Sequence, residues 1–257
     1  MAPLPRSTIV TMLRAAGCVF AEDEARLLVE SAATPTELAA MVDRRVQGLP
    51  LEHVLGWAEF CGLRIAVDPG VFVPRQRTEF LVRQAASLAP SGAVVVDLCC
   101  GSGAVGAVLA RLVDDIDLHA ADVDPAAVAC ARRNIPGDRV HEGDLYAPLP
   151  AGLRGRIDIL VCNAPYVPTD AIGTMPPEAR EHEPLVALDG GADGTDVQRR
   201  VAADAVHWLA PGGHLLVEAG KRQAPVTAAA FARSGLIPCV VTSDELDATV
   251  VIGSKPV

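Results

Sequence analysis

From Ala93 onward the chain alternates short apolar runs with amphipathic stretches, and this alternation limits the fold more than any other feature. Strand-like runs occupy 94–98, 117–121, 157–162 and 213–218, with a weaker one at 139–142. Helical periodicity fills 104–113, 125–134, 197–209 and 223–234. Runs as apolar as Val94-Val95-Val96 suit strands covered on both faces, and repeated βα units need crossover connections. The expectation is a doubly wound, mostly parallel α/β sheet. Two last strands at 237–242 and 248–252, joined by a short polar turn, fit an antiparallel hairpin at the sheet edge.

The first fifty residues differ. Residues 7–48 read as three helices. Ser7 is a candidate cap for a first helix reaching Ala16, and a second runs from Glu22 to Ser31 with Ala25, Leu28 and Val29 on one face. Thr34 or Thr36 opens the third, where Leu38, Met41, Val42 and Val46 recur at helical spacing and Gly48 stops it. Gly and Pro then punctuate residues 49–73, with alternation at Leu63-Arg64-Ile65-Ala66-Val67 and a turn at Asp68-Pro69-Gly70. The expected division is a small helical domain at 1–50, a β-hairpin linker at 51–80 and the α/β domain at 81–257.

Composition narrows the function. A formal net charge of −10 and a pI near 5.0 weigh against a broad phosphate-neutralising surface, hence against a nucleic-acid binder. The seven cysteines form no CxxC pair and no Cys/His ligand spacing, which predicts reduced thiols and no metal site. No uncharged apolar run reaches the roughly 18 residues of a membrane span. The N-terminus lacks a compact apolar segment with a cleavage signal, so a cytoplasmic protein is expected.

Two segments carry chemistry. The run Val94-Val95-Val96 enters Asp97 and then Gly101-Ser102-Gly103-Ala104-Val105-Gly106, formally GxGxxG. Gly101 and Gly103 permit a tight turn and close backbone approach, and the next helix directs its amides at a ligand. Asp122, ending the second strand, is placed to accept from both ribose hydroxyls of a nucleotide cofactor. A nicotinamide cofactor therefore remains an alternative. Two acids favour S-adenosylmethionine. Asp97 precedes the glycines, where a carboxylate repels a pyrophosphate but suits a cationic methionine end. Asp144, after the third strand, is placed to receive the adenine amino group. The simpler roles are a helix cap for Asp97 and a solvated loop acid for Asp144. Asp124 competes for the ribose, but more simply caps the helix from Pro125.

The second segment is Asn163-Ala164-Pro165-Tyr166, directly after the apolar run 157–162. The Asn163 side-chain oxygen and the Ala164 carbonyl can accept both hydrogens of a planar NH2 group, and Tyr166 can stack on that group. An amide nitrogen is a poor nucleophile because its lone pair is delocalised, so such acceptors supply orientation and match developing positive charge. An amino group held beside a methyl-donating cofactor implies N-methyl transfer.

Asn163-Ala164-Pro165-Tyr166 resembles the NPPY motif of amino-group methyltransferases. Most of the chain resembles the release-factor glutamine N(5)-methyltransferase family, through Pro50-Leu51-Glu52-His53-Val54-Leu55-Gly56, Glu59-Phe60-Cys61-Gly62-Leu63, Val73-Pro74-Arg75 with Thr78-Glu79, Asp97-Leu98 with Gly101-Ser102-Gly103, and Glu183-Pro184 with Ala187-Leu188. The resemblance implies a seven-stranded, Rossmann-like class I methyltransferase fold with a helical N-terminal domain that recognises a protein. It also implies S-adenosylmethionine as cofactor and the glutamine of a release factor's Gly-Gly-Gln loop as substrate, with another protein as the second candidate. It brings Glu183 near the amino-group loop.

The chain departs from the family pattern at several positions. Ala164 replaces the first proline of NPPY, Gln76-Arg77 stands for Pro-Glu, Cys99-Cys100 alters the glycine turn, and Asp247-Ala248-Thr249 lacks an arginine. Methyl transfer to a nucleic-acid base and a non-catalytic binding module are the remaining alternatives. Arg75 and Glu79 are candidates to brace the entrance or to pair with each other. His182 reads as a solvated loop residue, Trp57 and Phe60 as hairpin core, and 190–194 as a turn before a helix.

Overall fold

The computed structural model describes residues 4–257, so the first three residues of the 1–50 segment lie outside the described residues. Three helices open the chain: α1 (Arg6–Ala15), α2 (Ala21–Ser31) and α3 (Pro35–Val46). Ile9, Leu13, Ala25, Leu28, Met41 and Val42 form their shared core. Ser7 does not cap α1. The Pro5 carbonyl accepts from Thr8 N at 2.9 Å and Ile9 N at 3.2 Å, which puts Ser7 inside the first turn. Thr34 does cap α3, its hydroxyl accepting from Glu37 N at 3.1 Å while Glu37 accepts from Ala33 N at 2.8 Å.

A short helix, α4 (Leu51–Leu55), sits between Pro50 and a left-handed Gly56 where the sequence suggested only punctuation. Its five residues are too few to display a helical period. The hairpin follows, with β1 (Trp57–Phe60) antiparallel to β2 (Leu63–Ala66). Phe60 and Ile65 pack into the main core, while Arg64 covers the Trp57 ring.

The α/β domain begins with α5 (Glu79–Leu88), a helix the sequence reading did not place. There follow β3 (Val94–Leu98), α6 (Ala104–Leu112), β4 (Asp117–Asp122), α7 (Pro125–Asn134), β5 (Val140–Glu142) and β6 (Ile157–Cys162). The remainder is α8 (Pro177–His182), α9 (Asp196–Trp208), β7 (Leu209–Glu218), α10 (Ala224–Arg233), β8 (Ile237–Ser243) and β9 (Ala248–Ser254). The seven strands order as β5-β4-β3-β6-β7-β9-β8. Only β9 runs antiparallel to its neighbours. It lies between β7 and β8, so β8 is one edge strand and β5 the other.

Register positions the site. Leu98 lies opposite both Ala121 and Cys162, so the segments leaving β3, β4 and β6 emerge side by side. The strand order reverses between β3 and β6, and a crevice opens at the carboxyl edge of such a switch point. Arg45 ties the helical domain to this edge. Its buried guanidinium binds Glu24 at 2.6 Å, the Leu49 carbonyl at 3.0 Å and Glu178 of α8 at 2.7 Å.

Candidate active site

A cleft of about 530 Å³ occupies the switch point, with the glycine turn on one wall and the loop after β6 on the other. The turn takes two left-handed glycines, Gly101 (φ 55) and Gly103 (φ 76). A Cβ on Gly103 would also meet Ile135 Cδ1 at 2.9 Å, so this position needs glycine for conformation and for packing against α7. Asn134 staples the turn to the hairpin: its amide donates to the Ser102 carbonyl at 2.8 Å and the Ala66 carbonyl at 2.9 Å.

Asp97 is only 2% exposed and lines the cleft. Its Oδ2 accepts from Gly106 N at 2.9 Å, so it also serves the first turn of α6. Burial pushes its pKa up to about 7, with the nearby Asp122 adding to the rise. Asp122 accepts from Gly101 N at 2.8 Å and Asp124 N at 2.9 Å, each through one lone pair of a different oxygen. Burial raises its pKa too. Neither acid has an ion-pair partner among the described residues. Two uncompensated carboxylates in a crevice fit a cation and a hydroxylated ribose and oppose a pyrophosphate, so the donor set matches S-adenosylmethionine. Asp124 caps α7 through Ala126 N at 2.9 Å. Asp144 lies at the same cleft, exposed and paired with Arg200.

The opposite wall is less complete. Asn163 Nδ2 donates to Thr78 Oγ1 at 3.3 Å, which fixes the amide, but its Oδ1 is buried without a partner. The Ala164 carbonyl likewise accepts nothing from the described residues. Tyr166 donates to Glu218 Oε1 at 3.4 Å, and burial pushes its pKa up to about 12. The Tyr166 carbonyl accepts from Gln223 Nε2 at 2.8 Å. Gly194 (φ 73) backs this contact, and a Cβ there would collide with the Tyr166 carbonyl oxygen and Gln223. The 190–194 turn thus precedes α9 and also supports the loop.

Glu183 is buried at 6% exposure. It accepts from Arg75 at 2.7 and 2.6 Å and from Val73 N at 3.1 Å. Arg75 therefore does not pair with Glu79, which reaches Arg83 one turn along α5 at 3.3 Å. Sequence reasoning missed Thr78, Asn134, Glu218 and Gln223. Glu218 had a signal, since it ends an apolar strand at the carboxyl edge where ligands bind. Thr78 stood in the Val73–Glu79 segment that carries the family resemblance, but nothing in it pointed to a contact with Asn163; Asn134 and Gln223 are ordinary polar residues that no local pattern marks.

Fold and site together define a class I methyltransferase. A family model for the Methyltransferase small domain matches residues 62–175. A methyltransferase structure from Pyrococcus furiosus superposes with a TM-score of 0.58 at 17% identity, covering 77% of this chain and 91% of that one. The release factor glutamine methyltransferase of Geobacter sulfurreducens is 40% identical over 228 residues, 86% of this chain and 79% of the relative. The chain belongs to the release factor glutamine methyltransferase family, whose cofactor is S-adenosylmethionine. A relative of Streptomyces pristinaespiralis, a 4-amino-L-phenylalanine/4-methylamino-L-phenylalanine methyltransferase, is 37% identical over 76% of this chain and 70% of its own length. No described helix is long and apolar enough to cross a membrane, and no cluster of three or more metal-ligating side chains occurs among the described residues.

Proposed function

We propose that this chain transfers a methyl group from S-adenosylmethionine to the side-chain amide nitrogen of a glutamine in a protein, with a peptide chain release factor as first candidate. One observation carries the reading: the buried Asn163 Oδ1, without a partner, beside a free Ala164 carbonyl and next to the acidic glycine turn. A buried acceptor left unpaired costs roughly 1–3 kcal/mol, a penalty that a donor on the substrate relieves. The substrate's NH2 group has two such donors.

When bound, the cofactor supplies an electrophilic methyl group on a sulfonium cation. Asp97 would hold its ammonium end and Asp122 its ribose hydroxyls, Gly101 and Gly103 would admit close backbone approach, and Asp144 would receive the adenine amino group. Asn163 Oδ1 and the Ala164 carbonyl orient the substrate nitrogen, Pro165 restrains the loop, and the Tyr166 ring packs on the planar amide. The two acceptors also favour the pyramidal nitrogen of the attacking state, where positive charge grows. No general base is needed, because the proton leaves to water after transfer. Residues 1–50 grip the protein substrate and the 51–80 linker sets that domain against 81–257. The net charge of −10 supports a protein over a nucleic acid, and a cytoplasmic setting suits the free thiols.

The test is mass spectrometry of purified release factor after incubation with enzyme and S-adenosylmethionine. A methyl group on the Gly-Gly-Gln glutamine is the expected result. Label on DNA or RNA with none on protein sinks the reading.

A further inference from the structure

Three arginines line the cleft: Arg75, Arg77 and Arg200. Two are neutralised within the chain, Arg75 by the buried Glu183 and Arg200 by Asp144. Arg77 is different. It is exposed, and no carboxylate pairs with it among the described residues. It precedes Thr78, the residue that fixes Asn163, in a 3-10 turn anchored by Thr78 N on the Arg75 carbonyl at 3.0 Å. Burial raises the pKa of both Tyr166 and Glu218, and the Arg77 charge partly opposes that rise in each.

The acids around it do not consume that charge. Glu218 is 3% exposed, turned toward Tyr166, and pushed toward its neutral form by burial. Glu183 is held by Arg75, Glu178 by Arg45, and Glu79 by Arg83. Glu52 lies along the same cleft and makes no ion pair with Arg77. An unpaired guanidinium at the rim of a site that binds an uncharged NH2 group has no part in the transfer itself. Its planar fork of donors matches a carboxylate, which it binds through two parallel hydrogen bonds.

We propose that Arg77 is a specificity-determining residue that receives a carboxylate carried by the same substrate whose amino group meets the Asn163–Tyr166 loop. The carboxylate belongs either to an acidic residue or chain terminus beside a protein glutamine, or to a free amino acid bearing an amine. The second source has a parallel in the Streptomyces pristinaespiralis relative, named for 4-amino-L-phenylalanine. The proposal rests on the methyl-transfer reading of the cleft and deepens it.

Calorimetry on the full chain loaded with S-adenosylhomocysteine tests it with two matched probe pairs. One pair is a Gly-Gly-Gln peptide with Glu or Gln next in sequence. The other is 4-amino-L-phenylalanine and its carboxamide. The wild-type protein is expected to bind the carboxylate member of one pair at least tenfold tighter, about 1.4 kcal/mol. The pair that shows the preference identifies the source. Arg77→Gln should reduce that ratio below twofold, and Arg77→Lys should retain part of it. Equal affinities within both pairs, or a preference that survives Arg77→Gln, overturns the assignment. Methyl transfer to the same probes is followed separately. Carboxylate preference without transfer leaves Arg77 standing and removes the methylation reading, whereas transfer without preference does the reverse.

Discussion

The two walls of the cleft are finished to different degrees. On the cofactor wall the chain satisfies itself: Asp97 accepts from Gly106, Asp122 from Gly101 and Asp124, and Asn134 ties the turn to the hairpin. On the amino-group wall Asn163 Oδ1 is buried without a partner, and Glu218 Oε2, behind Tyr166, is the only other such side-chain atom among the described residues. A turn that holds its own acids in place is preorganised for a cofactor of fixed shape. An acceptor left open is completed only by the substrate, so recognition and chemistry meet at one atom. The walls should therefore respond differently to substitution.

The sharpest way to break this contrast is Asn163→Ala. Methyl transfer should fall by about 10²–10³-fold, the scale of losing one oriented transition-state partner. Cofactor affinity, read by calorimetry, should change by less than about twofold. Equal loss of both would make Asn163 a structural residue and erase the distinction. Next in size is Asp122→Ala, which should weaken the cofactor by roughly 1–3 kcal/mol through a lost charge-assisted hydrogen bond. Here the turnover of cofactor-saturated enzyme should hold, the mirror image of the first variant.

Acidity offers a third probe. Asp97 has a pKa near 7 in the folded chain and must be ionised to hold a cation. Affinity for S-adenosylmethionine should accordingly fall as pH drops through about 7, by up to about tenfold per unit. Asp97→Asn should flatten that slope, and an unchanged slope would locate the titrating group elsewhere. The same raised pKa has the opposite sense for folding. The stability linked to neutral Asp97 is fully present below the unfolded value and is lost as pH rises through 7. The smallest expected effect is Ala164→Pro, which keeps the carbonyl and restrains φ. Turnover should stay within about threefold, since a compatible proline is worth well under 1.4 kcal/mol. A large loss would mean that Ala164 provides room for the substrate.

Much of this was legible in one dimension because it depends on local pattern. Apolar runs at 94–98 and 157–162 match β3 and β6 residue for residue, since a strand buried on both faces tolerates little polarity. The glycine turn and the Asn163–Tyr166 loop were legible for the same reason: each is a short stretch whose backbone chemistry is written in consecutive residues. Less legible were α4, too short to show a period, and α5, which lies beyond the hairpin where no turn signal announces it. Glu183 looked like a surface acid by local pattern, although its side chain is 1% exposed.

The sequence by itself determined the parallel sheet, a nucleotide-type cofactor turn and the loop that faces the amino group, because these follow from periodicity and from residue types at fixed short spacing. Tertiary structure alone decided which polar groups finish the site. Thr78 and Asn163 lie 85 positions apart, Tyr166 and Glu218 52, and Arg75 and Glu183 108. Such partners meet only when strand register and the packing of linker and helices fix them in space.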